Sequence, residues 1–298
     1  MQLRLSEEVA AAIKTNASVV ALESTVISHG LPHPQNLETA NRLEQIVRET
    51  GAIPATIAVF DGEFCIGLTQ DQIEHLAVGK NIRKISRRDL SVAVARRLTC
   101  ATTVAATAFI AHRANIRVFA TGGIGGVHRG AVDDVSADLV ELAKTPITVV
   151  CSGPKIVLDL PATREWLETF GITVLGWQCD EMPGFFSRTS GLPVDERVGS
   201  ANEVAEVIRA RDDLGLSNAI LVTVPVPESS AMDPIELEAI LNESLTLADQ
   251  QKIKGKDVTP FLLAELSRRS NGRTLASNIA LLENNARVAA EIATAIVG

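Results

Sequence analysis

Short β-branched apolar runs separated by longer amphipathic segments recur along most of this 298-residue chain. That alternation limits the fold more than any other feature. Such runs are satisfied as strands of a parallel or mixed sheet, with the amphipathic segments packed over it as helices. The strand candidates are residues 19–22, 117–120, 147–151, 172–175 and 220–224. Between them lie helix signals: Asn36 placed to cap a helix that closes at Gly51, Ser86 with Asp89 three later in capping-box form, and Thr259-Pro260 as N-cap and first-turn proline. Residues 55–68, ATIAVFDGEFCIGL, alternate on both sides of Asp61-Gly62, the dipeptide of a type I′ hairpin turn, so an antiparallel pair is expected in the sheet. No internal repeat, low-complexity tract or Gly/Pro/Ser-rich linker divides the chain. The expected fold is α/β, with a mixed, mainly parallel central sheet flanked by helices in a single domain over residues 1–298.

Hydrophobic residues at 46% are enough for a sizeable core, and a formal net charge of -8 disfavours a polymeric nucleic-acid partner. An anionic ligand would need a local basic pocket. Cys65, Cys100, Cys151 and Cys179 are scattered without CxxC or zinc spacing, which reads as reduced thiols, mostly buried. The first residues carry Glu7, Glu8 and Lys14 where a signal peptide needs an apolar segment, and no run approaches the ~20 apolar residues of a membrane span. A soluble, cytoplasmic protein without a membrane partner is expected.

In open α/β sheets ligands bind beyond the carboxyl ends of the strands. Three such ends carry chemistry: Glu23-Ser24-Thr25 after the first candidate, TGGIGGVHRG (121–130) and then Asp133, Asp134 and Asp138 after the second, and Ser152-Gly153-Pro154-Lys155 after the third. Each has a plain structural reading as well. The glycines suit a tight turn, Glu23 a solvated strand end, and Asp134 and Asp138 the start of a helix capped by Ser136. Lys155, set between two apolar runs, must snorkel to water or carry a function. A reactive amine must be neutral, and from a reference pKa of ~10.4 a shift of ~3 units costs about 4 kcal/mol, which desolvation and nearby cations can supply. Arg83, Lys84, Arg87 and Arg88 offer cations, or simply an exposed basic helix start. The unpaired amides opening a helix near Val104 suit a phosphoryl group. The residues alone reach an enzyme acting on a small phosphorylated carbonyl or sugar compound through a lysine imine.

Nine ordered segments, ALESTVISHGLPHPQNLETA, KISRRDL, FATGGIGGVHRG, DVSADL, CSGPK, FFSRTSG, PVPESSAMD, GKDVTPFLL and SNIALLENNA, together resemble the pseudouridine-5′-phosphate glycosidases over essentially the whole chain. The resemblance implies reversible cleavage of the C–C glycosidic bond of pseudouridine 5′-phosphate to uracil and ribose 5-phosphate, through a lysine imine with ring-opened ribose. By matching motif it implies Lys155 as the nucleophile, Glu23 as general acid, and Asp138 as a catalytic group that lines the substrate and orients a water. Asp134 would hold a divalent metal, manganese in the family. Lys84, Val104, Ser136, Ala137 and His128 would contact ribose and phosphate, and Asn278 the uracil edge. A homotrimer is also implied. Two competing expectations share the same kit: a lysine-imine aldolase acting on a sugar phosphate, which needs neither metal nor uracil, and a non-catalytic sugar-phosphate sensor.

Overall fold

Alternate residues of the central strands point into two different apolar layers. Val20 and Leu22 join one core with Val118, Val150 and Val222, while Val19 and Ala21 join another with Phe119, Val149 and Leu221. A strand buried on both faces reads as a continuous apolar run. This arrangement is seen in a computed structural model that describes residues 3–253 and 258–298, less the side chains of Ala131, Val132 and Thr259. The GKD of GKDVTPFLL lies outside the described residues.

The strands are β1 (Leu3–Leu5), β2 (Val19–Glu23), β3 (Ile53–Phe60), β4 (Glu63–Ile66), β5 (Arg83–Ile85), β6 (Cys100–Thr102), β7 (Val118–Ala120), β8 (Val127–His128), β9 (Ala131–Val135), β10 (Thr148–Cys151), β11 (Leu158–Asp159), β12 (Thr173–Trp177), β13 (Glu196–Val198) and β14 (Ile220–Thr223). One mixed sheet runs β1-β4-β3-β2-β7-β10-β14-β12-β13, with β6 beside β3 and β5 beside β6; β8, β9 and β11 form a small antiparallel sheet. From β3 to β13 every neighbouring pair is parallel. All five strand candidates fall on β2, β7, β10, β12 and β14, with ends shifted by a residue or two. The antiparallel pair β3–β4 turns at Asp61 and Gly62, both at positive φ (50° and 81°), as the type I′ reading requires. Helices cover both faces, the longest being Arg273–Val297, whose buried Leu281, Leu282, Val288, Ala289 and Ile292 lie in the first apolar layer.

Two cap expectations are corrected. The helix Gln35–Glu49 has Pro34, not Asn36, at its N-cap; Asn36 is buried and donates to the carbonyls of Ile27 (2.7 Å) and Ala77 (2.9 Å), tying together segments far apart in sequence. Thr259 is inside the helix Val258–Arg269 rather than before it, with Pro260 in its first turn. Ser86 and Asp89 take up the capping-box arrangement, yet only the carboxylate half has hydrogen-bond geometry, Asp89 accepting from the Ser86 N–H at 3.0 Å. The Ser86 hydroxyl is buried without a partner among the described residues. Among them no helix is long and apolar enough to cross a membrane.

Candidate active site

Lys155 is held by a lattice that prolongs β7 and β10 beyond their ends. Thr121 N–H donates to Val150, Ser152 N–H to Gly122, Ile124 N–H to Gly153 and Lys155 N–H to Ile124, all at 2.9–3.1 Å. Asn285, fully buried on the Arg273–Val297 helix, donates to the Thr121 carbonyl at 2.9 Å and lies 3.2 Å from the Ser152 hydroxyl. It locks the glycine loop to the lysine loop from behind.

The glycines of TGGIGG serve close approach. A Cβ on Gly123 would meet the Phe185 ring at 2.6 Å, and one on Gly125 would meet Ser136 Oγ at 2.1 Å. Phe185, buried at φ 67°, is in a region that bulky residues rarely adopt, and its N–H donates to the Ser152 carbonyl at 3.1 Å. Strain of this kind persists where the surroundings dictate it, often at functional sites.

A cavity of about 410 Å³ opens at the carboxyl ends of the strands. Glu23, Lys84, Val104, His128, Asp134, Ser136, Ala137, Asp138 and Lys155 all line it. Asn278 lines an adjoining slot that shares Glu23, Lys84 and Lys155 with the cavity. The residues to which the resemblance assigns a role thus line two spaces that share Glu23, Lys84 and Lys155, whereas Arg83, Arg87 and Asp133 line neither.

Glu23 is 8% exposed, and burial pushes its carboxyl above the ordinary carboxylate range; the Lys155 charge and the hydroxyl donated by Thr121 pull the other way, and the Asp138 charge adds to the rise. A group so placed keeps its proton to higher pH than a free glutamic acid and can serve as a general acid. Removing the donated bond in Thr121→Val leaves less opposing the rise. The variant should carry its alkaline limb of the pH–rate profile to higher pH than wild type, with a kcat loss of about 2- to 10-fold for one hydrogen bond. A profile unmoved in pH would contradict that role.

Asp138 is 6% exposed, and both carboxylate oxygens accept backbone amides, from Ala105 at 2.9 Å and Gly125 at 2.8 Å, while Ser136 Oγ caps its own N–H at 3.2 Å. It therefore ties the glycine loop to the start of the helix Val104–Arg113. Asp138→Asn would set an amide donor against one of those N–H groups. A stability loss of about 1–3 kcal/mol is expected in a denaturant titration, whereas unchanged stability would contradict the double acceptance.

The same cavity also carries cations. Lys84 and Arg88 line it, together with the hydroxyls of Ser86 and Thr103, both buried without a partner among the described residues. The two orphaned hydroxyls, with the charges of Lys84 and Arg88 and the Val104 helix start beside them, make a donor set suited to an oxyanion. Arg87 is turned away, paired with Glu141 at 2.6 Å and stacked 3.6 Å over Phe109. His128 Nδ1 lies 3.1 Å from Asp134 Oδ2. That places His128 beside the candidate metal ligand.

Thr121, Thr103, Phe185 and Asn285 were missed as individuals in the sequence, and Ser86 was read only as a cap. For Asn285 a signal existed: it interrupts the apolar stripe 281, 282, 288, 289, 292 of its helix, where an amide must be buried and bonded. The thiols are as expected: Cys65, Cys100 and Cys151 are buried, Cys179 partly so, and burial pushes Cys151 up to about 12.

A lysine beside a buried carboxylic acid, with a donor-rich cavity at the carboxyl ends of parallel strands, defines an α/β enzyme for a small-molecule substrate. The chain belongs to the indigoidine synthase A-like family, whose model matches residues 8–295. It is 52% identical to a pseudouridine-5′-phosphate glycosidase of Caldanaerobacter subterraneus subsp. tengcongensis over 97% of this chain and 95% of that protein. It is 50% identical to one of Petrotoga mobilis, over 98% and 96%. Among solved structures, a prealnumycin C-glycosynthase in complex with ribulose 5-phosphate superposes with TM-score 0.92 at 40% identity, covering 100% of this chain and 97% of that one. An indigoidine synthase A-like protein from Thermotoga maritima gives TM-score 0.92 at 36% identity, over the same shares of the two chains.

Proposed function

We propose that this chain is a pseudouridine-5′-phosphate glycosidase, cleaving the C–C glycosidic bond of pseudouridine 5′-phosphate reversibly to uracil and ribose 5-phosphate. The observation that carries the reading is the convergence of Lys155, the buried Glu23 and the orphaned Ser86 and Thr103 hydroxyls on one cavity. The full-length relatives of that name support it. The phosphate lies among Lys84, Ser86, Arg88, Thr103 and the Val104 amide, C1′ at Lys155, and the base in the slot bounded by Gly122, Gly123, Phe185 and Asn278.

A carbon-bound base is a poor leaving group for a direct oxocarbenium route. In the proposed path the neutral Lys155 amine bonds C1′ as the C1′–O4′ bond breaks, and Glu23 gives O4′ its proton. Glu23, left as a carboxylate, takes one proton from the new secondary ammonium, restoring the nitrogen lone pair, and passes it to C5 of the base. That lone pair then forms the C1′=N bond and the C1′–C5 pair returns to the ring, freeing uracil. Water adds to the imine and releases ribose 5-phosphate and the free amine. Each covalent step splits one hard bond cleavage into easier ones.

The donor set in the wall fits a hard divalent cation. Asp134 offers a half-exposed carboxylate beside His128 Nδ1, and no group of three or more His, Cys, Asp or Glu gathers among the described residues. One carboxylate with waters in most other positions suits manganese or magnesium better than zinc. Held by Asp134, manganese would supply positive charge and ordered water beside the sugar. A homotrimeric, cytoplasmic enzyme completes the proposal.

The test is to mix the protein with pseudouridine 5′-phosphate and manganese and follow uracil and ribose 5-phosphate. Formation of both in equal amounts is expected, as is the reverse condensation. A sugar phosphate cleaved without any turnover of pseudouridine 5′-phosphate would favour an aldolase instead, and ribose 5-phosphate binding without turnover would favour a sensor.

A further inference from the structure

The base slot adjoins two further spaces. It shares Glu23, Thr25, Lys84 and Lys155 with the sugar-phosphate cavity, and His29, Gly30, Pro260, Leu263 and Asn278 with a third space of about 530 Å³. The three spaces therefore lie in series: phosphate cavity, reacting carbon, slot, outer groove. The outer groove is lined by apolar groups, among them Leu31, Pro32, Phe186, Ala264 and Leu275, and by the polar Ser28, Ser267, Arg268 and Thr274. A base attached to the sugar through C5 directs its C2 carbonyl straight away from C1′, with N1 and N3 flanking it. N1 and N3 lie on the half of the ring remote from C1′, so a substituent there leads away from Lys155, and the space that adjoins the slot beyond the sugar-phosphate cavity is this groove.

We infer that the enzyme accepts C-nucleotides whose pyrimidine bears an apolar substituent on N1 or N3, the substituent seated in the groove between the Val258–Arg269 and Arg273–Val297 helices. A closed apolar pocket rejects even one surplus methylene by about 10- to 200-fold. A slot continued by a groove imposes no such penalty, and burial of the chain against the accessible Pro32, Ala264 and Leu275 favours binding. The solved relative of the same fold named as a prealnumycin C-glycosynthase shows that the scaffold is not confined to enzymes named for pseudouridine.

This inference rests on the proposed glycosidase reaction, so the test carries the unsubstituted substrate alongside. Pseudouridine 5′-phosphate and its N1-propyl and N3-propyl derivatives are each assayed for release of the free base, with wild type, Ala264→Trp and Ser267→Trp. Both substituted positions line the outer groove alone. At least one propyl isomer should be cleaved with kcat/KM within about tenfold of the parent. The tryptophan variants should lose that isomer at least tenfold more than they lose the parent, whose turnover should stay near wild type. Parent cleaved with both propyl isomers inert would overturn the inference and leave the glycosidase reading standing. So would a propyl isomer whose turnover both tryptophan variants leave unchanged, since the chain would then lie elsewhere. An inert parent would overturn both.

Discussion

Lys155→Ala is expected to fold as wild type does and to lose at least about four orders of magnitude in kcat for uracil release, the scale seen when a covalent nucleophile is removed. The fold should survive because the bond that places this residue is made by its backbone N–H to the Ile124 carbonyl, which alanine keeps. Asn285 and the surrounding amides that lace the two loops are also untouched. Lys155→Arg should be as inactive. It preserves a cation next to Glu23 but offers no nucleophilic amine. Steady-state uracil release by both variants, beside a thermal melt of each, checks the prediction. Substantial activity in Lys155→Arg would make the residue an electrostatic partner of Glu23 and nothing more.

The second large effect is Glu23→Gln, with an expected loss of about 10²- to 10⁴-fold in kcat, the usual contribution of a positioned general acid. It also carries a stability signature of definite sign. Burial raises the folded-state pKa of Glu23 above its unfolded value. Its contribution to stability is therefore fully present below the unfolded pKa of about 4.5 and is lost as pH rises through the raised folded value. Glutamine, neutral throughout, shows no such loss. The stability of Glu23→Gln relative to wild type should climb as pH rises above about 4.5 and through the raised folded value. Parallel curves from thermal melts across that range would contradict the buried, proton-retaining carboxyl.

The frame of the molecule was readable because buried parallel strands are continuous β-branched runs. Residues 19–22, 147–151 and 220–224 announce β2, β10 and β14 almost to the residue. The chemical kit was readable for the related reason that ligands gather after such strands, where Glu23 and Lys155 both stand. What remained hidden depends on partners distant in sequence. Asn36 looks like a cap until Ile27 and Ala77 are seen to take its amide protons. TGGIGG looks like a tight turn, yet Gly123 is a glycine because Phe185 presses on it and Gly125 because Ser136 does. Arg87 looks like a phosphate cation until Glu141, 54 residues on, claims it. Thr121 and Asn285 act through contacts spanning 98 and 164 residues, which no local pattern encodes.

Trapping the covalent intermediate is the decisive measurement. Wild type and Lys155→Ala are each mixed with ribose 5-phosphate and borohydride, and the intact and digested proteins are weighed by mass spectrometry. One reduced ribose 5-phosphate on wild type, mapped to Lys155 and absent from the variant, is the predicted result. A wild-type protein that releases uracil from pseudouridine 5′-phosphate and yet carries no adduct, or carries it on another residue, would contradict Lys155 as the covalent centre.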